Sequence, residues 1–177
     1  HGTVEVTSHV LGYQKKAIRT AKILDTLPLD LPPRQFTTQA FWYVFPEWLV
    51  DAAGIAGIHL PGTLHAAEHT GIAMLPLFAI CDRWDVGGLS IAHHPQLGEP
   101  VFFIYDGYPG GAGIAPFGFG AAERHLRATL ATLDECPCRA GCPSCVQSPK
   151  CGNFNEPLDK AGAAQLLRTG LGPVADT

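Results

Sequence analysis

Cys136-Pro137-Cys138-Arg139-Ala140-Gly141-Cys142-Pro143-Ser144-Cys145-Val146-Gln147-Ser148-Pro149-Lys150-Cys151-Gly152-Asn153 holds five of the six cysteines of the chain within sixteen residues, and Cys81 stands apart. A disulfide framework distributes its cysteines along a chain, so crowding of this kind favours a metal over staples. An all-cysteine zinc site needs four sulfurs at about 2.3 Å from the ion, and Cys142-x-x-Cys145 is the short clasp that presents two of them. Cys136, Cys142, Cys145 and Cys151 give the symmetric spacing C-x5-C-x2-C-x5-C with Cys138 spare, while Cys138 in place of Cys136 is the competing set. Gly141 and Gly152 allow the backbone reversals of a knuckle. An iron–sulfur cluster or redox thiols draw on the same donors. Four thiolates close a coordination shell, so the expected role is structural, locking the elements on either side, with no catalytic residue.

Those flanking elements read as helices. Upstream, residues 121–134 carry an apolar stripe of Ala122, Leu126, Leu130 and Leu133, supported by a Glu123–Arg127 pair at i,i+4. Downstream, residues 157–171 turn Leu158, Ala161, Leu166 and Leu167 inward. Residues 101–105 form a continuous apolar run between Pro100 and Asp106-Gly107, the pattern of a central buried strand. In residues 36–45 aromatics fall on both faces of the alternation, which predicts a strand covered on both sides. Val4, Val6 and Val10 predict an early hairpin continuing past Gly12. Residues 63–81 predict a long helix capped by Thr63, with Leu64, Ala67, Gly71, Met74, Leu75 and Phe78 on one face and a kink at Pro76. A short helix fits residues 47–56, and residues 89–93 form a short segment. The fold class is therefore α+β: a mixed, mostly antiparallel sheet with packed helices and a four-cysteine zinc knuckle between the last two helices.

The chain has 177 residues, 46% apolar and 16% charged, which suits one globular domain. Its net charge of −4 offers no global attraction to phosphate, so any nucleic-acid contact must rest on a local patch. Lys15, Lys16, Arg19 and Lys22 form the densest basic stretch. Phe36, Trp42, Tyr43, Tyr105 and Tyr108 could stack on bases, although most belong to the expected core. The longest apolar run, residues 64–80, is interrupted by His65, Glu68, His69 and Pro76, so no membrane span is expected. The first residues lack a signal core and an initiator methionine and read as part of a longer or processed protein.

Residues 136–160 resemble the C-terminal zinc-binding domain, a domain of unknown function, of MrfA-type and SftH-type DNA helicases, superfamily-two relatives of the Hrq helicases. Phe41-Trp42, Leu64-His65-Ala66-Ala67-Glu68-His69, Cys81-Asp82-Arg83-Trp84-Asp85-Val86-Gly87-Gly88 and Tyr105-Asp106-Gly107-Tyr108-Pro109-Gly110-Gly111-Ala112-Gly113 are similar to that domain in the same order. The resemblance implies a single helicase-associated domain over 1–177, with an α+β body at 1–135 and the knuckle and final helix at 136–177. It implies one structural zinc on Cys136, Cys142, Cys145 and Cys151, and a parent ATP-dependent 3′-to-5′ DNA helicase acting in DNA repair in the bacterial cytoplasm, at the nucleoid. The motor domains, with their ATP and magnesium, are expected upstream in the same chain, because no G-x-x-x-x-G-K-[ST] loop occurs in these residues. The implied partners are that motor and single-stranded or damaged DNA; the basic stretch of Lys15, Lys16, Arg19 and Lys22 is the candidate for a phosphate contact, with a solvated strand or loop face as the plainer account of it.

Three features support other readings. His65-Ala66-Ala67-Glu68-His69 matches H-x-x-E-H, the inverted zinc-peptidase motif, with Glu99, Asp106 or Glu123 as third ligand; packing as polar core residues is the plainer account. The glycines at 107–113, between strand and helix, resemble a phosphate cradle, or a tight turn with Asp106 as its cap. A pure protein-interaction module without DNA contact is the remaining alternative. Cys81 reads as a buried thiol.

Overall fold

The computed structural model describes residues 1–173; the tail expected to close the domain at 177 lies outside the described residues. One four-stranded antiparallel sheet has the order β1-β4-β6-β5, with β1 at Gly2–Ser8, β4 at Arg34–Val44, β5 at Val86–Ile91 and β6 at Val101–Asp106. The length of β4 organises it. Its first half pairs with β1 (Ser8 opposite Arg34, Gly2 opposite Ala40) and its second half with β6 (Ala40 opposite Tyr105, Val44 opposite Val101). The apolar run at 101–105 is thus an interior strand, as its composition predicts.

The early hairpin forms differently from the expectation. β1 pairs with β4, whereas β2 (Gly12–Lys16) and β3 (Ile23–Pro28) make a separate two-stranded arm. Val4 and Val6 find their partners in β4, which offers a buried face that the polar arm lacks.

Helix α1 spans Glu47–Ala52 and α2 spans Leu60–Met74. α2 starts earlier than Thr63 because Pro61, with no N–H to satisfy, fits the first turn; Thr63 is buried inside the helix. Pro76 does not kink it, since α2 ends at Met74 and Pro76 sits in a 3₁₀ turn at Leu75–Leu77. Residues 62–72 are buried on every side, between the sheet and two later helices, so α2 is the central rod rather than an amphipathic cover.

Those helices are α4 (Ala122–Glu135) and α5 (Lys160–Leu171), and a short helix α3 (Ile114–Gly120), not expected from the sequence, lies between the glycine loop at 107–113 and α4. On α4 the fully buried line is His125, Thr129 and Leu133, with Leu126 and Leu130 at its edge. The stripe is rotated because His125 Nε2–H donates to the Gly71 carbonyl at 2.7 Å and its Nδ1 faces the Tyr43 hydroxyl at 2.9 Å. On α5 Ala163, Ala164, Leu166 and Leu167 are buried, and Ala161 points to solvent. On β4 Phe41 is buried and Tyr43 half-buried against the helices, while the opposite face is buried at Thr38 and Ala40 and open at Val44. Among the described residues no helix is long and apolar enough to cross a membrane.

Candidate metal centre

α4 ends as Cys136 adopts an extended conformation (φ −69°, ψ 120°), and an extended chain turns residues i and i+2 to the same side. Cys138 therefore joins Cys136. Gly141, at φ +107°, reverses the chain, and a Cβ there would lie 2.3 Å from the Val146 side chain, so only glycine fits. The Cys142–Cys145 turn closes the group through Cys145 N–H donating to the Cys142 carbonyl at 3.0 Å.

The four sulfurs lie 3.6 Å (Cys136–Cys138), 3.5 Å (Cys136–Cys142), 3.4 Å (Cys138–Cys145) and 3.7 Å (Cys142–Cys145) apart. A tetrahedron of sulfurs at about 2.3 Å from zinc has edges of about 3.8 Å, so the donor set fits one zinc ion. The backbone N–H of Ser144 and the thiol of Cys136 draw the Cys142 thiol down to about 6, while burial pushes Cys145 up to about 12. A bound dication lets all four persist as thiolates.

The structure divides the expected set. Cys136, Cys142 and Cys145 come together, the fourth sulfur is Cys138, and Cys151 lies beside His65 instead, its Sγ 3.4 Å from Nε2. The symmetric spacing misleads because residues 148–155 form their own loop. Asn155 accepts the Ser148 N–H at 2.7 Å and donates to the Ser148 carbonyl at 3.1 Å. Phe154 and Asn155 take the positive-φ positions expected of Gly152.

The knuckle is anchored by a residue that sequence reading missed. Lys160, buried at the start of α5, donates to the carbonyls of Cys136 (2.6 Å) and Cys138 (2.7 Å) and lies 3.6 Å from the Cys138 sulfur. Asp159 caps the same helix through Gly162 N–H, and its own N–H reaches the Gly62 carbonyl of α2. The run Leu158-Asp159-Lys160 thus ties the knuckle, α5 and α2 together. Lys150 in turn donates to the carbonyls of Arg83 and Val86, holding the loop before β5.

His65 and His69 lie on α2 with Glu68, all buried. Burial pushes the Glu68 carboxyl up to about 7, against a Ser90 hydrogen bond and the Lys150 charge, and burial pulls His69 down to about 4. None of the carboxylates considered as a peptidase ligand joins them. Asp106 holds a loop, Glu99 accepts the Glu47 N–H, and Glu123 pairs with Arg127. The H-x-x-E-H motif therefore lacks its carboxylate arm.

The glycine loop is settled by Asp106. Its buried carboxylate accepts the N–H groups of Ala112 (2.6 Å), Ile114 (3.2 Å) and Ala115 (2.8 Å), so it occupies the place an exogenous phosphate would take. Cys81 is half-buried, its thiol pushed up by burial. Among the aromatics weighed for stacking, Tyr43 is tied to His125, Trp42 packs on Phe103 and Phe36 on Tyr105, while Tyr108, half exposed, donates to Asp85. Lys15, Lys16, Arg19 and Lys22 are all exposed on the β2–β3 arm, and Lys16 also covers the Phe154 ring.

An α+β body closed by a four-cysteine knuckle defines a structural zinc domain. Residues 67–146 match the family model of the MrfA Zn-binding domain, and the chain belongs to this family of Hrq-related helicase zinc domains. It is 41% identical over 107 residues to an uncharacterized protein of Methanocaldococcus jannaschii, covering 59% of this chain and 96% of that protein. It is 24% identical over 186 residues to the ATP-dependent helicase HRQ1 of Saccharomyces cerevisiae, covering 99% of this chain but 17% of the helicase. The crystal structure of DUF1998 helicase MrfA bound to DNA superposes with a TM-score of 0.65 at 27% identity, covering 96% of this chain and 22% of that one. The chain thus spans about a fifth or less of these helicases.

Proposed function

We propose that this chain is the accessory domain of an ATP-dependent 3′-to-5′ DNA helicase acting in DNA repair at the bacterial nucleoid, with the motor in the same polypeptide. Its zinc is held by Cys136, Cys138, Cys142 and Cys145. The observation that carries the reading is the closed four-sulfur knuckle clamped by Lys160, because a site with no open position and a buried ammonium across its carbonyls supplies rigidity rather than chemistry. The rigid body then presents the β2–β3 arm, whose exposed Lys15, Lys16, Arg19 and Lys22 concentrate positive charge on an otherwise acidic chain.

Binding of the chain to a fluorescent single-stranded oligonucleotide tests this. Reversal of the four arm charges to glutamate should weaken binding at least about tenfold and flatten its salt dependence. Unchanged affinity would remove the DNA contact and leave a protein-interaction module. ATP hydrolysis by the chain alone would overturn the assignment of the motor to other domains.

A further inference from the structure

Outside the knuckle, a second group of metal-binding side chains converges. The ligand atoms of His65, His69 and Cys151 all lie within 4.8 Å of one another, from α2 and from the loop after the knuckle. Both imidazoles are oriented by backbone. His65 Nδ1–H donates to the Pro157 carbonyl at 2.8 Å and His69 Nδ1–H to the Val146 carbonyl at 2.7 Å. This is the outer-shell bond that metal-ligating histidines make, and it leaves each Nε2 as a free lone pair.

Two Nε2 lone pairs and one sulfur then share a space that a single thiol proton can serve only once. The Cys151 Sγ to His65 Nε2 distance of 3.4 Å is close to the roughly 3.6 Å edge between nitrogen and sulfur on tetrahedral zinc. The Asn155 N–H donates to Cys151 Sγ at 3.4 Å, a bond that favours thiolate. Lys150, next in sequence, directs its ammonium to the Arg83 and Val86 carbonyls. A Cys–His pair alone would explain the contact with His65 but leaves His69 turned onto the same point without a purpose.

We propose that His65 Nε2, His69 Nε2 and Cys151 Sγ bind a second zinc ion, separate from the knuckle, with its fourth position facing the adjoining cavity. That cavity is about 310 Å³ and is also lined by Glu68, Tyr105 and Lys150, so the fourth ligand is water or an exogenous donor. Zinc, a borderline-soft dication, matches the mixed nitrogen and sulfur donors.

The test is metal stoichiometry by elemental analysis on the purified chain, with cobalt substitution read by absorption. The wild type should hold two zinc ions, and Cys151→Ser and His69→Ala should each hold one. Cobalt should fill a four-thiolate site and a site with about one quarter of its thiolate-to-metal charge-transfer intensity. One zinc in the wild type overturns the proposal whatever the variants do, and so do two zinc ions retained in both variants. If a variant fails to fold, the two-component cobalt titration of the wild type decides alone: a single four-thiolate spectrum overturns the site.

Discussion

The buried ammonium of Lys160 donates to the main-chain carbonyl of Cys138 at 2.7 Å, so the first turn of the last helix holds the backbone of the metal loop rather than its sulfur alone. Lys160→Met keeps the volume but orphans that carbonyl and the Cys136 carbonyl. It should cost about 3 kcal/mol and speed zinc loss to a chelator. Thermal melting and a colorimetric zinc-release assay check the two effects, and a variant as stable and as slow to release zinc as wild type would refute the anchoring role.

The place of Cys138 in the knuckle is open to a direct comparison. Cys138→Ser should abolish the four-thiolate cobalt spectrum, whereas Cys151→Ser should leave that spectrum intact. The opposite pattern would restore the symmetric spacing as the ligand set.

Asp106 accepts three backbone N–H groups with its two oxygens. Asp106→Asn offers one acceptor oxygen in their place and should destabilise the chain by about 1 to 3 kcal/mol, measured by urea unfolding. Added phosphate should not rescue the wild type further, because its amides are already satisfied.

Gly118 of α3 lies against the buried Phe41 ring, where a Cβ would come within 2.5 Å of the ring. Helix propensity alone makes Gly118→Ala stabilising by about 1 kcal/mol. Overpacking against a fixed ring makes it destabilising by about 1 to 3 kcal/mol. The structure predicts the second sign, and the urea midpoint reads it.

His125 has its pKa lowered, first by burial and against the bond to Gly71. The unfolded chain therefore binds a proton, below about pH 6.5, that the folded chain refuses, and stability falls as pH drops through that range. His125→Gln should flatten the decline of the urea midpoint between pH 7 and pH 5. A slope equal to that of the wild type would show that His125 does not contribute to it.

The metal centre was legible in sequence as chemistry but not as connectivity. Crowded cysteines announce a metal, yet whether Cys138 or Cys151 completes the set depends on the extended path of Cys136-Pro137-Cys138 and on Asn155 closing its own loop. The interior strand at β6 was legible because a continuous apolar run suits burial on both faces. The partner of β1 was not, because strand pairing between Gly2–Ser8 and Arg34–Val44 leaps over an arm that pairs with itself.

Local pattern by itself determined the α+β class, the knuckle between the last two helices and the polar stretch that became the basic arm, since periodicity, caps and clustered donors act over a few residues. Only the tertiary structure decided that α2 is buried on all sides and that His65, His69 and Cys151 converge. Each of these joins residues dozens of positions apart, and their meeting is set by the burial of α2 against the sheet, α4 and α5 rather than by any local preference.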